Sequence, residues 1–124
     1  MVQYEDLFGE ASEVDPDEID GLRRFLLDGE ELERCFVSIT TLFVFTEERL
    51  LIISKEGFTG RSVDVHTVPY SSIRDYTAGT PGRFESESEL RLWLRGMTSP
   101  MRYKISESLD VEGLYRVLSE YVLR

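Results

Sequence analysis

The chain has 124 residues, enough for one domain with a single sizeable hydrophobic core. Its formal net charge is −10, with 24 acidic residues against 14 Lys and Arg, so its surface as a whole repels nucleic acid and anionic lipid. The single cysteine, Cys35, excludes an intramolecular disulfide, and the single histidine, His66, excludes a zinc site built from several His or Cys ligands.

The amino-terminal stretch MVQYEDLFGEASEVD is acidic and lacks the basic start and apolar run of a secretory signal peptide. No window of the sequence approaches the ~20 apolar residues that a membrane-spanning helix needs. The expected location is therefore the cytoplasm. Residues 1–33 hold twelve acids against two arginines, a distribution typical of a solvated acidic surface.

A helix with both ends marked is predicted in EVDPDEIDGLRRFLLDGEE. Asp15 is a suitable N-cap, Pro16 suits the first helical position, and Gly29 can adopt the left-handed conformation that ends a helix. One apolar stripe at helical spacing is formed by Ile19, Leu22, Phe25 and Leu26. This helix should dock on the rest of the domain through that stripe.

From Arg34 onward the helical period gives way to β patterns. Seven short strands are predicted, in CFVSIT, LFVFT, RLLIIS, RSVDVHTV, SSIRDYTAG, SELRLWLRG and MRYKIS. The segment TEER is a tight connection between the second and third strands. Val63, Val65 and Val68 are expected to point into the core, and Pro69 to end the pairing of the fourth strand.

The tail LDVEGLYRVLSEYVLR returns to helical spacing, with Asp110 as the predicted N-cap and Leu109 packing on Leu114 across it. A run of antiparallel strands protects its edges best as a barrel or as two orthogonal sheets, and the last helix would close one open end. The sequence therefore predicts a mainly β (α+β) fold. Residues 1–30 would form an acidic segment with an extra helix, and residues 31–124 the barrel with its C-terminal helix, as one structural domain.

The segment KEGFTGRS at positions 55–62 is the most obvious candidate for a phosphate-binding loop. Such a loop needs the spacing GxxxxGK[ST] and a following helix, whereas here the glycines are three apart, Arg61 replaces the lysine and a strand follows. Gly57 and Gly60 are instead expected to serve the turn of a β-hairpin.

Glu85, Glu87 and Glu89 in FESESEL stand at alternate positions, a pattern that could bind a divalent cation through carboxylate oxygens. The same pattern more often marks an exposed strand edge that discourages aggregation, and this interpretation is preferred. No nucleophile motif accompanies His66, and we therefore expect no enzyme activity, no metal and no cofactor.

Trp93 is the residue that stands out as a candidate for binding. In SELRLWLRG, Leu90, Leu92 and Leu94 alternate with side chains that should lie on the opposite face, namely Arg91, Trp93 and Arg95. Aromatic and arginine side chains are enriched in subunit interfaces, so this face is a candidate oligomer interface, with packing beneath a helix as the alternative for Trp93. Tyr70 in VPY is a further interface candidate, and the alternative there is a turn tyrosine that closes the barrel edge.

A series of short segments resembles the bacterial pleckstrin-homology-like (PH-like) domain family, whose members are short stand-alone proteins. The segments are LFGEASEVD, LLDGEE, VFTEERLLI, GFTGR, VPYSSI, TAGT and ESELRLWLRG, in this order and spacing. The resemblance implies a seven-stranded, partly open barrel capped by a C-terminal helix, and ring-like or dome-like homo-oligomers. It implies no reaction, because molecular function within the family is poorly defined.

The sequence departs from the family pattern at points that bear on ligands. Glu47 and Glu48 stand where the family usually has a basic turn, Arg61 and Ser62 where it usually has paired lysines, and Tyr76 where it favours glutamate. The first two changes make the surface less cationic, which disfavours binding of membrane lipid. The expected function is a non-catalytic self-assembling scaffold or protein-interaction module, and the alternative is a peripheral lipid- or anion-binding domain.

Overall fold

The computed structural model describes residues 20–38, 41–56, 62–79, 88–106 and 109–124. The strands are β1 Arg34–Ser38, β2 Thr41–Phe45, β3 Arg49–Glu56, β4 Ser62–Pro69, β5 Ile73–Gly79, β6 Ser88–Leu94 and β7 Met101–Ile105. A 3-10 helix at Asp20–Phe25 precedes them, a 3-10 turn at Tyr70–Ser72 links β4 to β5, and helix α1 spans Val111–Val122.

The strands form two antiparallel meanders. One sheet has the order β1-β2-β3-β4 and is called here the four-stranded sheet, and the other has the order β5-β6-β7 and is called the three-stranded sheet. The predicted seven strands, partly open barrel and C-terminal helix are confirmed. The predicted N-terminal helix is corrected in its described part, because Asp20–Phe25 is a 3-10 helix, while its start at Asp15 lies outside the described residues.

The main core lies between the inner faces of the two sheets and beneath α1. Aromatic rings dominate its centre, where Phe36 and Phe45 pack edge to face with centroids 6.1 Å apart. Helix α1 contributes four buried side chains to the same end of the barrel: Leu114, Val117, Leu118 and Tyr121. The Asp110 carboxylate accepts a hydrogen bond of 2.9 Å from the backbone N–H of Gly113, which confirms the predicted N-cap.

The four-stranded sheet is buried on its outer face as well. Six side chains of that face are at most 2% exposed: Cys35, Val37, Leu42, Val44, Leu51 and Ile53. They are covered by the 3-10 helix, through Leu22 and Phe25, and by the segment that follows it, through Leu26 and Leu32. Of the three valines of β4 that were expected to point into the core, Val68 does so, and Val65 packs against the cluster on the outer face. The expectation is wrong for Val63, which is exposed.

A buried ion pair fastens this covering segment to the sheet. The Glu30 side chain is 2% exposed, and its two carboxylate oxygens accept hydrogen bonds of 2.9 and 2.8 Å from Arg49 Nε and Nη2. Arg49 Nη2 also donates to the Phe25 carbonyl, and Thr46 Oγ1 donates to Glu30. The bonds from Arg49 hold the pKa of Glu30 down at about 2, against the opposing effect of burial.

The Ser38 hydroxyl group joins the two sheets at one corner. Ser38, at the end of β1, is 1% exposed. Its Oγ donates to the Lys104 carbonyl at 2.9 Å and accepts from the Ser106 N–H at 3.0 Å. This hydroxyl satisfies backbone groups beside β7 and so joins the edge strands of the two sheets.

Candidate interaction surface on the three-stranded sheet

Strand β6 sorts its side chains as the alternating pattern predicts. Leu90 and Leu92 are buried in the main core, and Leu94 is half-buried against it. Arg91 and Trp93 lie on the opposite, outer face, and both are half-buried. The structure thus brings these two candidate residues together on one face of the sheet.

The neighbouring strand adds cations to this face that the sequence analysis did not select. Arg91 lies opposite Arg102 of β7, and Glu89 lies opposite Lys104. The alternation of MRYKI contains the signal, because Met101, Tyr103 and Ile105 face the core and therefore place the two cations outward. The name "basic face" is used below for Arg91, Arg102 and Lys104.

One carboxylate group lies between the two arginines of the basic face. Glu89 Oε1 accepts a hydrogen bond of 2.8 Å from Arg102 Nη1, and it lies 3.3 Å from Arg91 Nε. Arg91 Nε is buried but makes no hydrogen bond of acceptable geometry. Among the side chains that the structure describes here, one carboxylate group pairs with both guanidinium groups.

Arg95 lies beyond the end of β6 and does not join Arg91 on this face. Its backbone N–H donates to the Ser72 carbonyl, and its Nε donates to the Ser71 carbonyl at 2.8 Å. Gly96 follows with a φ of 87°, a left-handed conformation that favours glycine and turns the chain away from the strand. The side chain of Arg95 is thus tied to the 3-10 turn between β4 and β5.

Tyr70 lies at the start of that turn and points into the barrel end. Its single hydroxyl proton is shared between the carbonyls of Thr46 and Arg49, whose oxygens lie 2.6 and 2.8 Å from Tyr70 Oη. Its ring packs on that of Tyr121 with centroids 5.0 Å apart. Burial, with the neighbouring Tyr121, raises the pKa of Tyr70 far above its usual range. This placement agrees with the alternative of a turn tyrosine that closes the barrel edge.

Tyr121 completes the aromatic closure of this end. Its ring lies 5.4 Å from that of Phe45, its hydroxyl donates to Glu33, and Arg124 lies over its outer side at 4.3 Å from the ring centroid. Burial, followed by the hydrogen bond to the Glu33 carboxylate, raises the pKa of Tyr121 to about 12. Both tyrosines therefore remain neutral hydrogen-bond donors through the physiological pH range.

Acidic side chains concentrate at the opposite, four-stranded side of the domain. A depression of about 150 Å³ is lined by Gly29, Glu30, Glu31, Glu33, Glu47 and Glu48. The Glu30 carboxylate is paired with Arg49, whereas Glu31, Glu47 and Glu48 are exposed. These three exposed residues are called the acidic notch below.

The remaining sequence candidates do not form a site in the described part of the chain. Gly57, Gly60, Glu85 and Glu87 lie outside the described residues. Cys35 is fully buried. His66 is half-buried in β4, opposite Ile52 of β3.

Within the described ranges, none of the helices combines the length and the apolar character that crossing a membrane requires. Over the same residues, no group of three or more His, Cys, Asp and Glu side chains is arranged to hold a metal ion.

Comparison with known proteins gives a consistent family assignment. The chain is 36% identical over 107 residues to an uncharacterized protein, YjqA, of Bacillus subtilis (strain 168), and the match covers 83% of this chain and 86% of that protein. A pleckstrin homology domain from Shewanella amazonensis SB2B is 36% identical, with a TM-score of 0.81 over 97% of this chain and 98% of its own.

Two further solved structures share the fold. A DUF1696 family protein with a pleckstrin-homology domain from Shewanella loihica PV-4 is 35% identical, with a TM-score of 0.75 over 92% of this chain and 98% of its own. A PH domain containing protein from Exiguobacterium sibiricum 255-15 is 21% identical, with a TM-score of 0.64 over 90% of this chain and 61% of its own, and supports the fold alone. The model of the family described as bacterial PH domain matches residues 3–122, and the chain belongs to this family.

Proposed function

We propose that this bacterial PH domain protein is a non-catalytic interaction module that associates with itself. The observation that carries the proposal is the position of Trp93 on the outer face of the three-stranded sheet, among charged side chains. Thr77, Arg102 and Lys104 of the same face are exposed, so this part of the sheet is open to solvent. A tryptophan there has apolar area to cover, and tryptophan and arginine are the residue types that most often dominate binding energy at interfaces.

The geometry of β6 supports an interface role for Trp93 over a role in the core. Leu90 and Leu92 already fill the inner face of the strand, and Trp93 belongs to neither of the buried hydrophobic clusters. Its backbone lies opposite Asp75, an exposed residue of β5. Loss of its side chain should therefore weaken association more than it weakens the folded monomer.

The test is the substitution Trp93→Ala, followed by light scattering for mass and circular dichroism for thermal unfolding. We expect the dissociation constant of the assembly to rise about tenfold or more, the effect of losing about 1.4 kcal/mol of binding free energy at one contact. The unfolding temperature of the dissociated protein should change little. Tyr115→Ala is the matched control, because Tyr115 is also a partly exposed aromatic residue, at 43%, but lies on α1.

Three results would contradict the proposal. A wild-type protein that stays at 14.4 kDa at every concentration would show that it does not associate with itself. Unfolding of Trp93→Ala would place the tryptophan in the core. Salt-sensitive sedimentation of the wild type with phosphoinositide vesicles would favour the alternative of a peripheral lipid-binding domain.

A further inference from the structure

One end of the segment that covers the four-stranded sheet is fixed to the barrel. This segment, residues 20–32, is called the strap below, and it contains the 3-10 helix Asp20–Phe25. A 3-10 helix this short has poor hydrogen-bond geometry and needs packing to persist. The residue after the strap, Glu33, donates its backbone N–H to the Phe45 carbonyl at 2.8 Å, and its carboxylate accepts a hydrogen bond from Tyr121. The strap therefore has a fixed point just before β1.

The apolar side chains of the strap belong to a hydrophobic cluster of their own. Leu22, Phe25, Leu26 and Leu32 pack on the outer face of the four-stranded sheet, in a cluster separate from the main core. The main core is formed by the inner faces of the two sheets and by α1. Detachment of the strap would therefore uncover the outer face of one sheet without removing a side chain from the main core.

The guanidinium group of Arg49 holds two parts of the strap. Arg49 Nη2 donates to the Phe25 carbonyl and to the Glu30 carboxylate, each at 2.8 Å, and Arg49 Nε donates to the second carboxylate oxygen at 2.9 Å. The 3-10 helix and the end of the strap are thus fastened by the same side chain. Because a planar guanidinium group makes these bonds together, its release frees both parts of the strap at once.

Negative charge beside this guanidinium group opposes the closed position of the strap. The acidic notch combines Glu31 of the strap with Glu47 and Glu48 of the turn between β2 and β3, and all three line one depression. Like charges therefore lie on both sides of the joint between strap and sheet, and their repulsion favours separation. The closed position depends on the pairing of Glu30 with Arg49 and on the burial of the apolar side chains.

We propose that the strap is a detachable cover, which opens as a unit when Arg49 releases Glu30, while both sheets and α1 stay folded. The open form exposes the outer face of the four-stranded sheet, including Cys35, Val44 and Leu51, which are at most 1% exposed in the closed form. Opening thus controls access to an apolar surface on the sheet that does not carry the basic face. The inference goes beyond the proposed function and does not depend on self-association.

Cys35 provides a direct measurement of opening, because it is the one cysteine of the chain and lies on the face that the strap covers. The experiment is reaction of the native protein with dithiodipyridine, a neutral aromatic disulfide, over a series of urea concentrations below the unfolding transition. The reagent is kept at concentrations where the rate is proportional to it, so that the rate reports the equilibrium population of the open form. We expect Cys35 to react at least about tenfold faster than global unfolding allows, with a weaker dependence on urea because opening exposes less surface.

Two variants separate opening from global unfolding. Arg49→Lys keeps a cation but loses the paired hydrogen bonds, so it should raise the reaction rate of Cys35 about tenfold or more. Val117→Ala creates a cavity in the main core, and it should raise the equilibrium constant of unfolding about tenfold or more while leaving the reaction of Cys35 at low urea unchanged. Circular dichroism checks that each variant is folded, and Glu30→Gln replaces Arg49→Lys if the latter fails that check.

A second thiol tests whether the rest of the sheet stays folded. Val68 lies on the inner face of the same sheet and is 0% exposed, so Val68→Cys, in a protein that also carries Cys35→Ala, places the thiol in the main core. This thiol should react only through global unfolding, with the full dependence on urea.

Three kinds of result would overturn the inference. The first is reaction of Cys35 at the rate, and with the urea dependence, of global unfolding. The second is an acceleration in Val117→Ala that matches its loss of stability, or no acceleration in Arg49→Lys. The third is reaction of the thiol introduced by Val68→Cys in parallel with that of Cys35, because both faces of the sheet would then be exposed together.

Discussion

The two sheets of this domain use the same meander topology but bury their side chains differently. The four-stranded sheet is covered on both faces, by the main core on one side and by the segment around Leu22 to Leu32 on the other. The outer face of the three-stranded sheet carries no fully buried residue among those that the structure describes, and it presents Arg102 and Lys104 to solvent. The difference shows why the strand sequences differ: continuous apolar runs accompany burial on two faces, and strict alternation accompanies burial on one.

The largest loss of stability should come from breaking the ion pair between Glu30 and Arg49. This pair holds the segment around Leu22 to Leu32 on the four-stranded sheet. Arg49→Met leaves the Glu30 carboxylate buried without its cation, and we expect a loss of about 3–5 kcal/mol in the free energy of unfolding, measured with urea. Arg102→Met is the matched control on the other sheet, because its exposed pair with Glu89 should contribute less than about 1 kcal/mol. Equal losses in the two variants would refute the contrast between the sheets.

The next largest loss of stability should come from creating a cavity on the outer face of the four-stranded sheet. Leu51→Ala removes a side chain that is 1% exposed in the outer cluster, so the free energy of unfolding should fall by about 3 kcal/mol. Thr77→Ala, on the exposed outer face of the three-stranded sheet, should change it by less than about 0.5 kcal/mol. If Leu51→Ala were as mild as Thr77→Ala, the outer cluster would not contribute to stability as a core does.

Acid should weaken the ion pair between Glu30 and Arg49, and with it the stability of the protein, in a defined pH window. The pKa of Glu30 is lowered from 4.5 to about 2, so its contribution is fully present above pH 4.5 and is lost as the pH falls through 2. We expect a loss of about 3 kcal/mol across this window, seen as a difference between the wild type and Glu30→Gln in urea unfolding at a series of pH values. If the two proteins show the same pH dependence between 4.5 and 2, Glu30 does not titrate as its contacts require.

Local sequence patterns were sufficient to predict most of the fold. The alternation of β6 placed the leucines inward and Trp93 outward, and Asp110 marked the start of α1. Arg95 was grouped with Trp93 because the pattern does not reveal that the strand ends at Leu94 and that Gly96 then turns the chain. Strand period is a local property, whereas the end of a strand depends on what its last residues bond to.

Features that join distant parts of the chain could not be predicted from spacing. Glu30 and Arg49 are 19 residues apart, and nothing in either segment selects this pair from the many other possible acid–base pairs. The apolar run of β2 is buried on both faces, in two separate hydrophobic clusters, whereas a single hydrophobic core was expected from the sequence. Of the basic face, the sequence analysis selected Arg91 but not Arg102. Arg102 lies beside Arg91 because of the register between β6 and β7, which the sequence does not reveal.

The Ser38 hydroxyl has a consequence for the order in which the chain folds. Every strand pair in both sheets joins neighbours along the chain, so each meander can form by closing short loops in sequence. The bond from Ser38 to Lys104 spans 66 residues, and the bond from Tyr121 to Glu33 spans 88. Closure of the barrel therefore waits for the last strand and the last helix to be in place, and the entropy of bringing these distant segments together should set the folding rate.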